Sequence, residues 1–371
     1  MRQPTLIERS DEPRWIIKRE RGVVHAAALT LVWITIAAGA FVLTEPAPVD
    51  ALAIGLIILL PLIGLVAVAP MLVLYLSLWL VAAATAFFAS AGAPDIPLSV
   101  THNAVSLYLT VWSFVLAAFI AVRPLEHLQL VFKAYVVAAL LAAAAGIIGY
   151  FEILPGAGEL FTRYGRASGT FKDPNVYGPF MVLPIIVLIG RVLAGHYRSL
   201  MFNVGLIGLM SLAVLLTFSR GAWGHLAMSV LLLALFTFLT TTTNKERLRI
   251  LFFGALGVAA VTLAFVAILS IGSVGSMFTE RAALVQGYDA GPQGRFGRYL
   301  PGFLLMLDNP IGIGPLQFTN YFPEDPHNSF LDAFVAGGWL GGTIHFTLMV
   351  LTLGYGPVSY THLTLPTNRE V

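Results

Sequence analysis

The chain contains no cysteine, so disulfides and thiolate metal sites are excluded, and cysteine usage says nothing of redox compartment. Charge is also scarce. Only 11% of the 371 residues are Asp, Glu, Lys or Arg, against about 25% in a soluble domain. Between Arg21 and Arg123 there is no Lys or Arg at all, only the acids Glu45, Asp50 and Asp95. There is no internal repeat and no low-complexity tract. What the sequence has instead is apolar length: 58% hydrophobic residues and a mean hydropathy of +0.84. The apolar residues lie in unbroken runs of roughly 20, the length that crosses a hydrocarbon core as helix. A strand barrel, the other spanning solution, shows short alternating segments instead. The fold class expected is all-α, a polytopic transmembrane helical bundle.

Spans are expected at roughly 23–44, 51–69, 70–90, 103–121, 129–150, 176–195, 200–218, 222–242, 250–271 and 328–354. The first is too long for a cleaved signal peptide, so it is read as retained. Residues 1–22 then form a cytoplasmic tail and 23–357 a single transmembrane domain. Two connections are long, about 151–175 and 272–327, and the second is expected to carry short helices. Cations flanking short loops mark the inner face. The tail holds Arg2, Arg9, Arg14, Lys18, Arg19 and Arg21. Counting spans from there keeps Arg123, Lys133, Arg191, Arg198, Lys245, Arg247 and Arg249 inside, and puts Glu45, Asp50 and Asp95 outside. The final "VSYTHLTLPTNREV" (358–371) is polar and resembles read-through of a transposon-type sequencing adapter. It is expected to be non-native, with the natural protein cut near Pro357.

By the same count, both long loops and the turn Ser219-Arg220-Gly221 lie outside, and they hold cations that resist the inside bias. "RYGRASGTFKDPNVYG" (163–178) supplies Arg163, Arg166 and Lys172. Its Asp-Pro-Asn reads equally as a turn with Asp173 or Asn175 capping the next helix. Three cations fit a helix N-terminus poorly unless an anion binds there. Arg220 interrupts an apolar hairpin and is either a snorkelling residue or a functional one. His225, one turn deeper, reads as packing. In "QGRFGRYLPGFLLMLDNPIGIGPLQFTNYFPEDPHN" (293–328), Arg295 and Arg298 share a helical face. The segment 299–307 is too short to cross and reads as interfacial or re-entrant. Its Gly-Ile-Gly lacks the context of a dinucleotide fingerprint and reads as a tight turn.

His327 follows, near Glu324 and Asp325 and before Asn328 and Asp332. It is either a polar cap at the mouth of a span or a base oriented by a carboxylate. The other histidines form no ligand cluster with it, so neither metal nor cofactor is expected. Several arginines and one histidine on the outer face suit transfer from a lipid-linked pyrophosphate. Arginines would stabilise the departing diphosphate, and His327 would deprotonate a sugar hydroxyl.

Together the motifs "GRASGTFKDPNVYG", "LLTFSRGAWG", "GRYLPGFLLMLDNPIGIGPLQF" and "HNSFLDAFVAGGWLGG", in this order over about 130–355, resemble the O-antigen ligase/polymerase superfamily of bacterial envelope glycosyltransferases. The resemblance implies a multi-pass protein of the bacterial inner membrane with a metal-independent active site facing the periplasm. It implies an undecaprenyl-pyrophosphate-linked glycan as donor and a glycan or lipid A core as acceptor. Membrane lipid surrounds the chain, a chain-length regulator is a possible partner, and nucleic acid is not one. By motif, Arg220 and Arg298, with Arg295, become pyrophosphate contacts, joined by Arg163, Arg166 and Lys172. His327 becomes the acceptor-activating residue, supported by Asp325 and Asn328. Family members continue with further spans after the His-Asn one, in keeping with the cut expected near Pro357. Ligase and polymerase differ only in acceptor. A transporter is the competing class, but carriers hold ionisable residues at mid-membrane and often show repeated halves.

Overall fold

In a computed structural model, residues 22–364 are described, except 45, 196–198, 271, 273, 274, 276, 279–290, 292, 293 and 295. The chain is helical almost throughout. Its helices are α1 (Val23–Ala38), α2 (Pro48–Leu62), α3 (Pro70–Ser90), α4 (Ile96–Val122), α5 (Pro124–Tyr150), the short α6 (Ala157–Phe161), α7 (Pro174–Phe180), α8 (Val182–Leu193), α9 (Leu200–Leu215), α10 (Arg220–Thr240), α11 (Asn244–Leu269), α12 (Tyr299–Asp308) and α13 (Ser329–Thr364). Two-residue strands, β1 (Thr162–Arg163) and β2 (Arg166–Ala167), pair antiparallel between α6 and α7. Among the described residues, six stretches are helical, long and apolar enough to cross a membrane: α3, α4, α5, α7 with α8, α10, and Ser329–Tyr355 of α13. The chain is an integral membrane protein. Helices α1, α2 and α9 have 15 or 16 residues, about 23 Å at 1.5 Å per residue, less than the hydrocarbon thickness.

Helix starts follow local chemistry. Proline opens α2, α3, α5 and α7, where its missing N–H costs nothing. Asp95 caps α4 by accepting from the Leu98 N–H, and Ser219 caps α10 by accepting from the Ala222 N–H. At the corner between α4 and α5, Nδ1 of the buried His127 lies 2.6 Å from the Phe119 carbonyl. A carbonyl only accepts, so Nδ1 carries the proton and satisfies one orphan acceptor of the α4 C-terminus.

Apolar packing falls into three clusters. Small residues of α5 (Ala138, Ala139, Ala142, Ala143) let Tyr177, Met181 and Ile185 and the Met210–Val214 face of α9 approach closely. A second cluster joins α1, α2 and α4 through Val32, Leu56, Leu60 and Phe119. The third holds α12 against α13 through Phe318, Leu331 and Val335.

The third cluster departs from the sequence reading, which makes 328–354 one span. Length and composition agree with that reading, but the chain reverses at Gly338, whose φ is +70°. The arms before and after it lie antiparallel. Phe330 meets the rings of His345 and Phe346, and a Cβ on Gly342 would overlap Phe334. The second arm runs along α3, with Gly341 against Thr85, His345 against Trp79 and Thr352 hydrogen-bonded to Tyr75, while the first arm meets α3 at its tip, with Gly337 against Thr85 and Ala86.

The Asn309–Gly314 turn closes over the reversal. The Ile313 and Gly314 N–H groups donate to the Val335 and Ala336 carbonyls at 2.9 and 3.2 Å, and the Trp339 N–H donates to the Pro310 carbonyl at 2.9 Å. Helix-end carbonyls that would face hydrocarbon are thus satisfied by backbone. This needs glycine on both sides: a Cβ on Gly338 would fall on the Pro310 carbonyl and Ile311, and one on Gly312 would fall on Ala336 and the Gly338 nitrogen. The turn is fastened to the α3–α4 corner by Ser99 Oγ donating to the Pro315 carbonyl (2.7 Å) and the Asp95 N–H donating to Gln317 Oε1 (3.0 Å).

Gly338→Ala is therefore expected to destabilise the protein by at least about 2 kcal/mol, from backbone strain and overlap together. Gly254→Ala, where an added Cβ meets nothing within 4 Å, is expected to be neutral or slightly stabilising. Thermal unfolding of the two purified variants in one detergent checks the contrast.

Candidate active site

The basic residues read from the sequence fall into two sets. The first surrounds the α9–α10 turn. The β1–β2 hairpin turns through Tyr164 and Gly165, with φ of +54° and +68°, the backbone pair of a tight two-residue hairpin. Its second strand is sewn to the end of α9, where the Ala167 N–H donates to the Leu216 carbonyl at 2.9 Å. Arg166, buried to 8% exposure, donates from Nε to the Thr217 carbonyl (2.6 Å) and from Nη2 to Asn175 Oδ1 (2.8 Å). A cation here complements the negative end of α9. Asp173, not Asn175, caps α7, accepting from the Asn175 N–H at 2.7 Å. Asn175 is left to hold Arg166.

Arg163 and Lys172 are exposed beside this frame. Arg220 is half-buried at the first position of α10, immediately after the Ser219 cap. Its charge there opposes the helix dipole, so an anion at this end is electrostatically favoured. His225, read from sequence as packing, is exposed one turn on. The long 272–327 connection reaches this set: Phe278 stacks on Trp223 at 5.3 Å between centroids, and the Met277 methyl lies against Gly165.

The second set lies where α12 and the first arm of α13 begin. Arg298 is 1% exposed. Its Nε donates to the Gly294 carbonyl at 3.3 Å, and its Nη2 donates to Glu324 Oε2 at 2.8 Å. Its Nη1 is buried with no hydrogen-bond partner among the described residues. A buried guanidinium nitrogen without an acceptor costs free energy, so such groups call for a specific reason. Three residues beyond Glu324, His327 is exposed, with φ of +49°. It sits between the buried Pro326 and Asn328, which caps α13 by accepting from the Phe330 and Leu331 N–H groups at 3.1 and 3.2 Å. A left-handed backbone at a residue other than glycine stores strain and recurs at active sites.

Glu324 therefore pairs with Arg298 rather than with His327, a partnership across 26 positions that spacing alone does not reveal. Asp325 is exposed beside His327 in the chain, and Asp332 lies one turn beyond Asn328. Among the described residues, no carboxylate forms an ion pair with His327 in this structure. Arg295 lies outside the described residues. Hydrogen bonds and packing gather Arg163, Arg166, Lys172 and Arg220 around one turn, and Arg298, Glu324, Asp325, His327 and Asn328 around another. A cavity of about 360 Å³ in the turn after α5 is lined by Glu152 and Glu159 and by none of these cations, so it is not suited to an anion.

A polytopic helical membrane protein with arginines and a strained histidine at two chain reversals is the class so defined. Residues 205–346, from within α9 into the returning arm of α13, match the family model described as O-antigen ligase. That match, over less than half of the chain, supports the O-antigen ligase/polymerase superfamily, in keeping with the ordered motifs. Ser219–Gly221, Arg298, Asn309–Gly314 and His327-Asn328 lie within the match; the 163–178 motif lies ahead of it. No curated protein and no solved structure matches the chain.

The two buried or exposed arginines of the hairpin separate structure from ligand. Arg166→Met, which orphans the Thr217 carbonyl and Asn175, is expected to cost about 2–4 kcal/mol. Arg163→Met should leave the unfolding midpoint unchanged. Parallel thermal melts of the two variants check this.

Proposed function

We propose that this protein transfers an oligo- or polysaccharide from undecaprenyl pyrophosphate to an acceptor hydroxyl, on lipid A core or a comparable glycan, at the periplasmic face of the bacterial inner membrane. The acceptor oxygen attacks the anomeric carbon of the donor sugar. The bond from that carbon to the phosphate oxygen breaks, and undecaprenyl diphosphate leaves with the electron pair. His327 takes the hydroxyl proton. The acceptor oxygen enters opposite the leaving diphosphate in one displacement, which inverts the anomeric configuration, and the residues named need no metal. Arg298, with Arg220 and Arg295, neutralises the charge that grows on the diphosphate, the kind of interaction that strengthens toward the transition state. Arg163 and Lys172 extend the positive field at the Arg220 end. Arg166 acts through the turn it braces, and Asn328 fixes the backbone that presents His327.

The single observation carrying this reading is the buried Arg298, with one donor lacking a partner among the described residues, paired through Glu324 to the short segment that bears an exposed, backbone-strained His327, inside the matched domain. A polymerase would use the same chemistry with a second lipid-linked repeat as acceptor. A deletion strain separates the two: loss of all surface-attached long chains marks a ligase, single repeats on core a polymerase.

In that strain, complementation with His327→Ala or Arg298→Ala is expected to restore no long-chain glycan. Purified His327→Ala should lose about 10²- to 10⁴-fold in transfer rate, the usual contribution of a general base, while its melt stays unchanged. Full transfer by folded His327→Ala, or substrate flux without glycosidic bond formation, overturns the reading.

A further inference from the structure

The geometry of Arg298 creates a conflict, because a side chain 1% exposed cannot meet a diphosphate unless something uncovers it. Glu324 is what covers its Nη2 edge, and the Glu324 side chain is itself 61% exposed. Resting on the reading of Arg298 as a diphosphate contact, we propose that Glu324 and the donor's diphosphate compete for the Arg298 guanidinium, and that this exchange sets the position of His327.

Electrostatics favours an exchange over simple opening. Pulling Glu324 away alone would leave a buried cation unpaired, which is costly. Replacing a carboxylate by a phosphate oxygen keeps Nη2 paired throughout. It also brings an acceptor to Nη1, which lacks one among the described residues, and arginine suits a two-pronged anion.

The coupling to His327 follows from how the segment is tied. Upstream, Phe322 is anchored by its N–H to the Phe318 carbonyl (3.1 Å) and by stacking on Phe318. Downstream, Asn328 is anchored as the cap of α13. Between them, among the described residues, the Glu324–Arg298 pair is the one hydrogen bond or ion pair made by residues 323–327. The segment is a short strap with two fixed ends, one polar tether and one buried side chain, Pro326. Releasing Glu324 removes the polar tether from the strap that carries His327 and leaves Pro326 as its pivot. The donor's arrival at Arg298 thus lets the imidazole swing toward the acceptor, which links base positioning to a filled donor site.

The test uses the purified full chain in detergent, inorganic pyrophosphate as probe, and Glu324→Gln beside Arg298→Gln. With its competitor weakened, E324Q should bind pyrophosphate about two- to five-fold more tightly than the unaltered protein, the worth of a half-exposed ion pair. Without pyrophosphate, its amides over 321–328 should exchange hydrogen as fast as those of the unaltered protein saturated with pyrophosphate. R298Q should lose both pyrophosphate binding and the pyrophosphate-dependent change in exchange. Glu324→Asp, too short to span the gap, repeats the test should the Gln variant melt early. If E324Q binds no more tightly, or its strap exchanges no faster, while R298Q loses binding, the latch is overturned and the diphosphate reading stands. If R298Q binds as well as the unaltered protein, the diphosphate reading of Arg298 falls and the latch with it.

Discussion

The backbone cap at the Gly338 reversal is the constraint on which the candidate site depends. Apolar helices in a membrane must satisfy their terminal carbonyls internally, and the Pro310–Gly314 turn does so for the first arm of α13. Because that turn follows α12 directly, the cap forces α12 and the arm to run side by side toward the same tip. Gly302 against Leu331, and the Trp339 indole donating to the Met306 carbonyl at 3.1 Å, record that parallel course. Two helices sharing one tip also share their starting end. The residue before α12 is Arg298, and the residues before the arm are 324–328. A hydrogen-bonding requirement at one end of the unit thus delivers an arginine and a histidine to the other end.

The same physics sorts the arginines. Arg166 and Arg298 are both buried, yet they are not equivalent. Arg166 spends its donors on a helix-end carbonyl and an asparagine oxygen, neutral partners that fix a turn. Arg298 is paired with a mostly exposed carboxylate and keeps a buried N–H without an acceptor among the described residues. Desolvating a guanidinium is expensive unless its donors are met, so the first arrangement is stable as it stands, while the second is improved by a further anion. On that difference rests the proposal that Arg298 contacts the ligand and Arg166 braces the turn.

Much of the architecture is legible in the sequence because hydrophobic length is a direct physical requirement. The runs at 70–90, 103–121 and 129–150 lie within α3, α4 and α5, and the short 299–307 segment is the ten-residue α12. The fold of 328–354 is not legible in the same way. Hydropathy counts apolar residues but carries no sense of direction, and Gly337-Gly338 looks like the small-residue content of any membrane helix. The signal that would have found the reversal is the pairing of Gly312 with Gly338, two glycines in separate Gly-rich stretches, since each leaves room for the other's backbone. In the site, residue types point to the chemistry, but partners do not follow from them. Charge alone ranks Arg163 beside Arg166, and adjacency alone assigns Asp325 to His327. Burial separates the first pair. For the second, the structure turns Glu324 toward a cation, and among the described residues no carboxylate forms an ion pair with His327.

This diversion has a chemical consequence. A histidine held by a fixed carboxylate is a committed base, oriented whether or not a reaction partner is present. Among the described residues, His327 is held through its backbone, by Pro326 on one side and the Asn328 cap on the other. Its ring is exposed and its φ strained, so small changes in the 323–327 strap translate into large changes in where the imidazole points. For a transfer between two bulky lipid- or glycan-bearing substrates, orientation outweighs basicity: a general base must come within hydrogen-bond reach of one hydroxyl among many. A strap anchored at both ends and tethered once in the middle meets that need better than a rigid helix position. It limits where the ring can go while leaving its final angle to be set by what occupies the neighbouring cationic site.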